Sequence, residues 1–358
     1  MPRKLSLEEK AAQLLVVGFD GKQVNGHLSE MLDLGVGGVI YFRRNLGTPE
    51  EILALSREIF SRSRLSLPII AVDQEAGLVT RLSPPFAQWP GNAAIGKSKD
   101  PRLAEAVARV IGRELKSAGI NTDFAPVVDV HSNPQNPIIG PRSFGSDPAF
   151  VSKMGTAFIK GLQGAGVAAC AKHFPGHGDT NLDSHIALPV VKRERKSLAK
   201  IEFPPFRAAV RAKVASMMTA HVLYTALDVE RPATLSPKII TGILRKQMKY
   251  QGVVFTDDLS MMGVAKGRSH EEIAVQSIAA GCDVLLACQD FQNQKRFLNG
   301  VVDAVRSGIL SEKRLDESLR RIAKFKAKYA KKPPETLSSK WLGSAAHRKV
   351  QEQAARWA

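Results

Sequence analysis

The chain is poor in cysteine, poor in aromatic residues and free of long apolar runs, and each shortage removes a class of protein. Its three cysteines, Cys170, Cys282 and Cys288, are odd in number, share no metal-like spacing and sit inside apolar runs. That pattern argues against a disulfide scaffold or a thiolate zinc site and reads as buried, reduced thiols packing as small hydrophobes. Aromatic residues make up 6% of the chain. None interleave with a basic stripe as a nucleic-acid surface of stacked bases requires, so no nucleic-acid partner is expected. No stretch approaches the ~18 consecutive apolar residues of a membrane span, so no membrane partner is expected either. The opening segment, Met1-Pro-Arg-Lys-Leu-Ser-Leu-Glu-Glu-Lys10, brings in acids at once, and Gln13 interrupts the apolar run behind it. It has no small-residue cleavage site and does not read as a signal peptide, so the expected location is cytoplasmic. Acidic residues are also short: 34 Asp and Glu face 51 Lys and Arg, a formal charge of +17. The excess is spread along the chain and enriched at 191–200 and 311–350, which reads as a solvated basic surface weakly attractive to polyanions.

What is present is ample core material. With 358 residues, 44% of them hydrophobic, the chain can form one large α/β domain or two average ones. Short β-branched runs at 13–18, 37–42, 68–73, 122–128, 166–171, 215–220, 252–257 and 283–287 alternate with amphipathic stretches near 49–62, 102–118, 148–164, 203–213, 236–248, 270–280 and 291–307. Gly37, Gly119, Gly166, Gly252 and Gly281 stand just before strands, where a glycine ends the preceding helix. Near-continuous apolar strands separated by helices predict a parallel sheet covered on both faces. Eight of them predict a single closed (β/α)8 TIM-type barrel, with a doubly wound open sheet as the alternative. The barrel domain is expected over 1–331, its last helix at 311–331, and 332–358 as a tail or short helix. There is no internal repeat and no linker.

Polar residues gather where strands end. Asp73-Gln-Glu75 follows the third strand, with Arg81 shortly after. Arg142 lies in the loop after the fourth, His221 at the end of the sixth, and Asp257-Asp258 at the end of the seventh. The fifth strand runs into 172–185, Lys-His-Phe-Pro-Gly-His-Gly-Asp-Thr-Asn-Leu-Asp-Ser-His, which packs three histidines, two aspartates and a lysine into fourteen residues. Pro175, Gly176 and Gly178 forbid a regular helix there. The four-residue spacing of His173 and His177 therefore cannot work as a helical ligand pair, and no metal is expected. In a barrel these strand ends converge on one mouth, where such folds keep their chemistry.

Six pieces of the sequence together resemble glycoside hydrolase family 3, in its β-N-acetylhexosaminidase branch. They are Asp73-Gln-Glu-Ala-Gly-Leu-Val-Thr-Arg81, Arg142-Ser-Phe-Gly145, Lys172-His-Phe-Pro-Gly-His-Gly178, Asp183-Ser-His185, Met218-Thr-Ala-His221 and Phe255-Thr-Asp-Asp-Leu-Ser-Met261. The resemblance spans about residues 8–330. It implies a retaining exo-β-N-acetylglucosaminidase that removes terminal β-linked N-acetylglucosamine, with muropeptide fragments of cell-wall recycling as substrate, no cofactor, and a monomeric or weakly oligomeric state. The nucleophile position falls on Asp257. Asp258 stays open as a rival, its other reading being the N-cap of the turn at Leu259. The acid/base position falls on His185, held by Asp183: an imidazole near neutral pKa can give a proton to the leaving oxygen and later take one from water. The sugar-binding positions fall on Asp73, Arg81, Arg142, Lys172 and His173, with Met218 and His221 shaping the pocket. The 172–185 loop is expected to close during the cycle, and His177 to hold it.

The sequence departs from the family pattern at Ala76, at Leu78 (where an arginine is usual) and at Pro141 (where an acid is common), which leaves the ion-pair partner of Arg142 open. A β-glucosidase or a β-N-acetylglucosaminide phosphorylase on the same scaffold is the alternative. A non-catalytic sugar-binding protein and a metal-dependent hydrolase stand further off.

Overall fold

The computed structural model describes residues 4–184, 187–338 and 341–358. Eight strands close into one parallel barrel in chain order: β1 Leu15–Val17, β2 Gly38–Tyr41, β3 Ile69–Val72, β4 Thr122–Asp123, β5 Ala168–Phe174, β6 Ser216–Thr219, β7 Val253–Asp258 and β8 Val284–Ala287. Closure is set by Leu15 opposite Leu285 and Val16 opposite Gly38. The open-sheet alternative is thereby set aside. The barrel strands β1, β2, β3, β4, β5, β6 and β8 are buried along their whole length, as expected for strands covered by helices outside and side chains within. Phe124 and Phe255 meet edge to face inside, with ring centres 5.2 Å apart.

The helices start where their caps say they should. Thr48 accepts from the Glu51 N–H while Glu51 reaches back to the Thr48 N–H, and Pro49 takes the first turn, so Pro49–Arg62 begins at a capping box. Five further helices are not legible in the sequence: Leu7–Ala12, Gly26–Asp33, Asn92–Lys97, Arg195–Ile201 and Met262–Ala265. All are short, so the period of 3.6 has little room to show. The stretch expected as a helix at 236–248 is wound more widely over Lys238–Gln247, with Gly242 N–H bonding the Pro237 carbonyl and Met248 N–H the Ile243 carbonyl.

Two strand ends differ from expectation, and both shape the mouth. β4 leaves the ladder after Asp123 instead of running to 128, because Pro126 has no N–H to donate. Val128 N–H still reaches the Lys172 carbonyl at 2.8 Å, so the chain climbs beside β5 without forming a continuous strand. β5 continues through Phe174, which places Lys172 and His173 on the sheet rather than in a loop. Past the barrel, helix Glu312–Tyr329 is followed by helix Ala345–Ala355, which docks on helix Pro101–Ser117 through His347 Nδ1 and Glu114 Oε1 at 3.0 Å.

Candidate active site

A cavity of about 140 Å3 lies at the C-terminal end of the strands, bounded by Asp73, Glu75, Arg142, Lys172, His173 and Asp257, with Arg81, His177 and Ser184 at its edges. A larger hollow of about 410 Å3 sits beside Lys116 and Trp341, but its lining holds no carboxylate and no imidazole. Chemistry therefore points to the smaller one.

The cavity floor is a chain of charge pairs between strands. Lys172 Nζ donates to Asp73 Oδ1 at 2.7 Å and meets Glu75 Oε1 at 2.6 Å. Glu75 in turn takes both arms of the Arg142 guanidinium, Nε to Oε2 and Nη2 to Oε1, each at 2.8 Å. This settles the partner of Arg142: it comes from the β3 end, 67 residues away, and not from the residue before it. Glu75 is 1% exposed, and burial alone would raise its pKa. Arg142 and Lys172 outweigh burial and hold the carboxyl well below the usual carboxylate range. The same attraction, from Asp73 first and then Glu75, holds the Lys172 ammonium above its ordinary value against burial. Arg81 Nη2 stands 3.8 Å from Asp73 Oδ2, a looser contact. Its loop is fastened by Gln74 Oε1, which accepts from the Arg81 and Leu82 N–H groups.

Asp257 and Asp258 are neighbours on β7 and therefore face opposite ways. Asp257 lines the cavity and accepts the Asp258 N–H at 2.8 Å. Burial opposes its ionisation, but His221, His173, that N–H and Lys172 together hold its carboxyl below the ordinary range. Asp258 instead accepts the N–H groups of Ser260 and Cys288, each at 3.1 Å, and burial pushes its pKa up. It ties the β7 and β8 ends together and does not line the cavity.

His173 was anticipated as a sugar contact; its support was not. Asp129, fully buried, accepts the His173 N–H at 3.1 Å on both oxygens, the His177 N–H at 2.7 Å, and faces His173 Nδ1 at 2.8 Å. His173 Nε2 is left toward Arg142, 3.4 Å away. The sequence marks no role for Glu75, and Asp129 lies inside the apolar run Val127-Val-Asp-Val130. An acid within such a run cannot stay ionised without partners, which was the available signal. Replacing Asp129 by Asn is expected to cost about 3 kcal/mol of stability, because a buried carboxylate accepting several N–H groups loses its charge. Denaturant unfolding checks this; a loss below about 1 kcal/mol would assign the fastening of the loop to other bonds.

The stretch from Lys172 to Thr180 is fastened to its surroundings. Tyr224 OH bonds the Gly176 carbonyl, Arg193 reaches Asp179 at 2.5 Å and Glu202 at 2.9 Å, and Thr180 is fully buried. A side chain at Gly178 would strike the Val130 carbonyl at 1.6 Å, so the close approach there needs glycine. His177 bonds Thr180 Oγ1 at 2.8 Å and Ser184 Oγ at 3.3 Å, and burial brings its pKa down to about 4, which keeps the ring neutral. Ser184 edges the cavity, and its carbonyl accepts the Gly263 N–H at 2.9 Å. Asp183 precedes it, its carbonyl accepting the Ala187 N–H at 3.1 Å. His185 lies outside the described residues.

Met218 and His221 do not line the cavity. His221 is fully buried, with Nδ1 on Thr234 Oγ1 at 2.7 Å and Nε2 on the Asp258 carbonyl at 2.9 Å, so it buttresses the β7 end from behind. Leu78, at the position where an arginine is usual, is 74% exposed and contributes nothing to packing. Ala76 sits at φ 81°, in the left-handed region that favours glycine.

Comparison with known proteins agrees with this geometry. The sequence profile of the glycosyl hydrolase family 3 N-terminal domain matches residues 6–325. A protein named beta-hexosaminidase A from Pseudoalteromonas piscicida is 37% identical over 356 residues, covering 92% of this chain and 60% of its own length. A beta-hexosaminidase of Thiobacillus denitrificans is 39% identical over 259 residues, covering 71% of each. Among solved structures, a glycoside hydrolase family 3 beta-N-acetylglucosaminidase from Paenibacillus sp. superposes with a TM-score of 0.96 at 41% identity, over 99% of this chain and 69% of that one. The chain thus spans less than two thirds of the Pseudoalteromonas protein. No helix among the described residues is long and apolar enough to cross a membrane.

Proposed function

The chain belongs to glycoside hydrolase family 3, and from that premise we propose that it is a retaining exo-β-N-acetylglucosaminidase acting on terminal β-linked N-acetylglucosamine. The observation that carries this reading is the pairing of a carboxylate held ionised, Asp257, with a rigid set of donors and acceptors across one small cavity. Sugar hydroxyls need such a set: Asp73 accepts, while Lys172 and Arg142 donate. Arg81 and His173 complete the contacts to the sugar.

Asp257 attacks the anomeric carbon as the bond to the leaving oxygen breaks, and His185 gives that oxygen its proton. The sugar is then held on Asp257 as an ester. Water, losing a proton to His185, attacks the same carbon and releases the sugar with its configuration retained. Asp183 orients His185 and stabilises its charged form. The natural substrate in this reading is a muropeptide fragment in the cytoplasm, whose acidic groups suit a chain of charge +17.

The test is nitrophenol release by the full chain from the β-N-acetylglucosaminide and from the β-glucoside, with and without added phosphate. Fast release from the first, little from the second and no acceleration by phosphate are expected. Equal rates on both would make the protein a β-glucosidase, and acceleration by phosphate a phosphorylase. Silence on both would leave a sugar-binding protein.

A further inference from the structure

The opposite end of the barrel holds a hollow with chemistry of its own. Gln13 precedes β1, Ser66 precedes β3, and helix Glu312–Tyr329 packs against them, so this end is made by the N-terminal ends of the strands, away from Asp257. There Lys326 is 6% exposed. Its Nζ donates to Gln13 Oε1 at 3.0 Å and to Ser66 Oγ at 2.8 Å. Both acceptors are neutral and already engaged, because Ser66 donates to Gln13 Oε1 at 2.7 Å and Gln13 Nε2 to the Gly35 carbonyl at 2.7 Å.

Lysine is almost never buried to this degree unless an acid is beside it. The surroundings show what such pairing looks like. Lys10, 8% exposed, meets Glu312 and Asp316 of the same helix at 2.8 and 2.6 Å. Asp283, the buried acid at this end, is taken by Arg245 and Arg321 at 2.5 and 3.0 Å. Among the described residues no carboxylate pairs with Lys326, and burial alone brings its amine down to about 7. An ammonium has three N–H groups and the protein accepts two of them.

The amine and both its partners line a cavity of about 440 Å3, whose walls are Leu65, Leu67, Leu319 and Ile322. That volume falls within the ~300–1,000 Å3 of small-molecule sites. Leu67 stands 46% exposed, a large apolar side chain left open to solvent, and Lys331 adds a second cation to the lining. We propose that this hollow binds a small aliphatic carboxylate, its head group on Lys326 Nζ and its chain against Leu65, Leu67, Leu319 and Ile322. A single negative charge supplies the counter-ion the buried amine lacks.

Calorimetric titration of the full chain with decanoate and with decanol, on wild type and Lys326→Met, tests this. The two probes share a chain and differ in charge. Wild type is expected to prefer decanoate on the order of tenfold or more, the worth of one charge-assisted bond in a dry site. Lys326→Met, which keeps an unbranched side chain and removes the charge, is expected to lose that preference and keep the binding of decanol. Wild type binding neither probe, or both equally, would overturn the site and leave Lys326 as a cap on Gln13 Oε1. So would a preference that survives in Lys326→Met. The wild-type comparison alone decides against the site if the variant fails to fold. Nitrophenol release is not part of the readout, so the outcome is independent of the function proposed above.

Discussion

Asp257→Ala is expected to lower turnover of the nitrophenyl β-N-acetylglucosaminide by at least ~10³-fold, since in the proposed mechanism Asp257 reacts covalently and truncating such a group removes several kcal/mol of transition-state stabilisation. The fold should survive, because the side chain edges a cavity rather than filling the core. Loss of rate by itself would not separate the nucleophile from a binding residue. Azide does so: in Asp257→Ala the face of the sugar opposite the leaving group is open, and azide entering there gives the α-glycosyl azide. A variant lacking only the acid/base would give the β-azide, formed on the intact ester. Asp258→Asn is the matched control. Its carboxylate serves the Ser260 and Cys288 N–H groups, so that change should act on stability first and leave turnover within about tenfold. If Asp258→Asn abolishes turnover and Asp257→Ala does not, the assignment on β7 is reversed.

The division between Asp257 and Asp258 shows how far residues in order can be read without coordinates. Eight apolar runs, five of them preceded by a glycine, were enough for the barrel, because a strand buried on both faces leaves an unbroken hydrophobic signature. The residues that line the cavity were visible as types at strand ends. Their pairings were not, because they are made across the barrel: Glu75 meets Arg142 and Lys172 at separations of 67 and 97 residues, and nothing local marks them. The end of β5 was misjudged for the same reason. Lys172 and His173 look like loop residues until Asp73, Glu75 and Asp129 are seen to bond them from β3 and the β4 end. Hidden in the same way was Asp129, whose flanking valines signal only a strand. The five short helices were lost to a different limit, too few turns for a period to register.

Glu75→Gln is expected to be among the most damaging single changes away from Asp257. It keeps the shape and removes the one charge that serves two cations. Lys172, 2% exposed, would keep only Asp73, and Arg142 would lose both of its carboxylate bonds. Breaking a buried pair by removing one partner costs about 3–5 kcal/mol, because the other charge is left desolvated. Since the same two cations face the cavity, KM for the glycoside should rise with the loss of stability. The ordering of effects can be checked by a cycle with Arg142→Gln. If Glu75 acts through Arg142, the double variant loses much less than the sum of the single losses; full additivity would mean the two are independent. Acidity gives a second check. The folded pKa of Glu75 is depressed, so its contribution is fully present above its unfolded value near ~4.3 and is lost as pH falls below that toward the folded value. Lys172, whose folded pKa is raised, contributes below its unfolded value near ~10.4 and loses the contribution only as pH rises beyond it. Wild type should therefore hold this cluster across the neutral range and lose stability on acidification. Glu75→Gln should show a flatter acid limb, and an acid limb identical to that of wild type would mean that Glu75 is not ionised in the native protein.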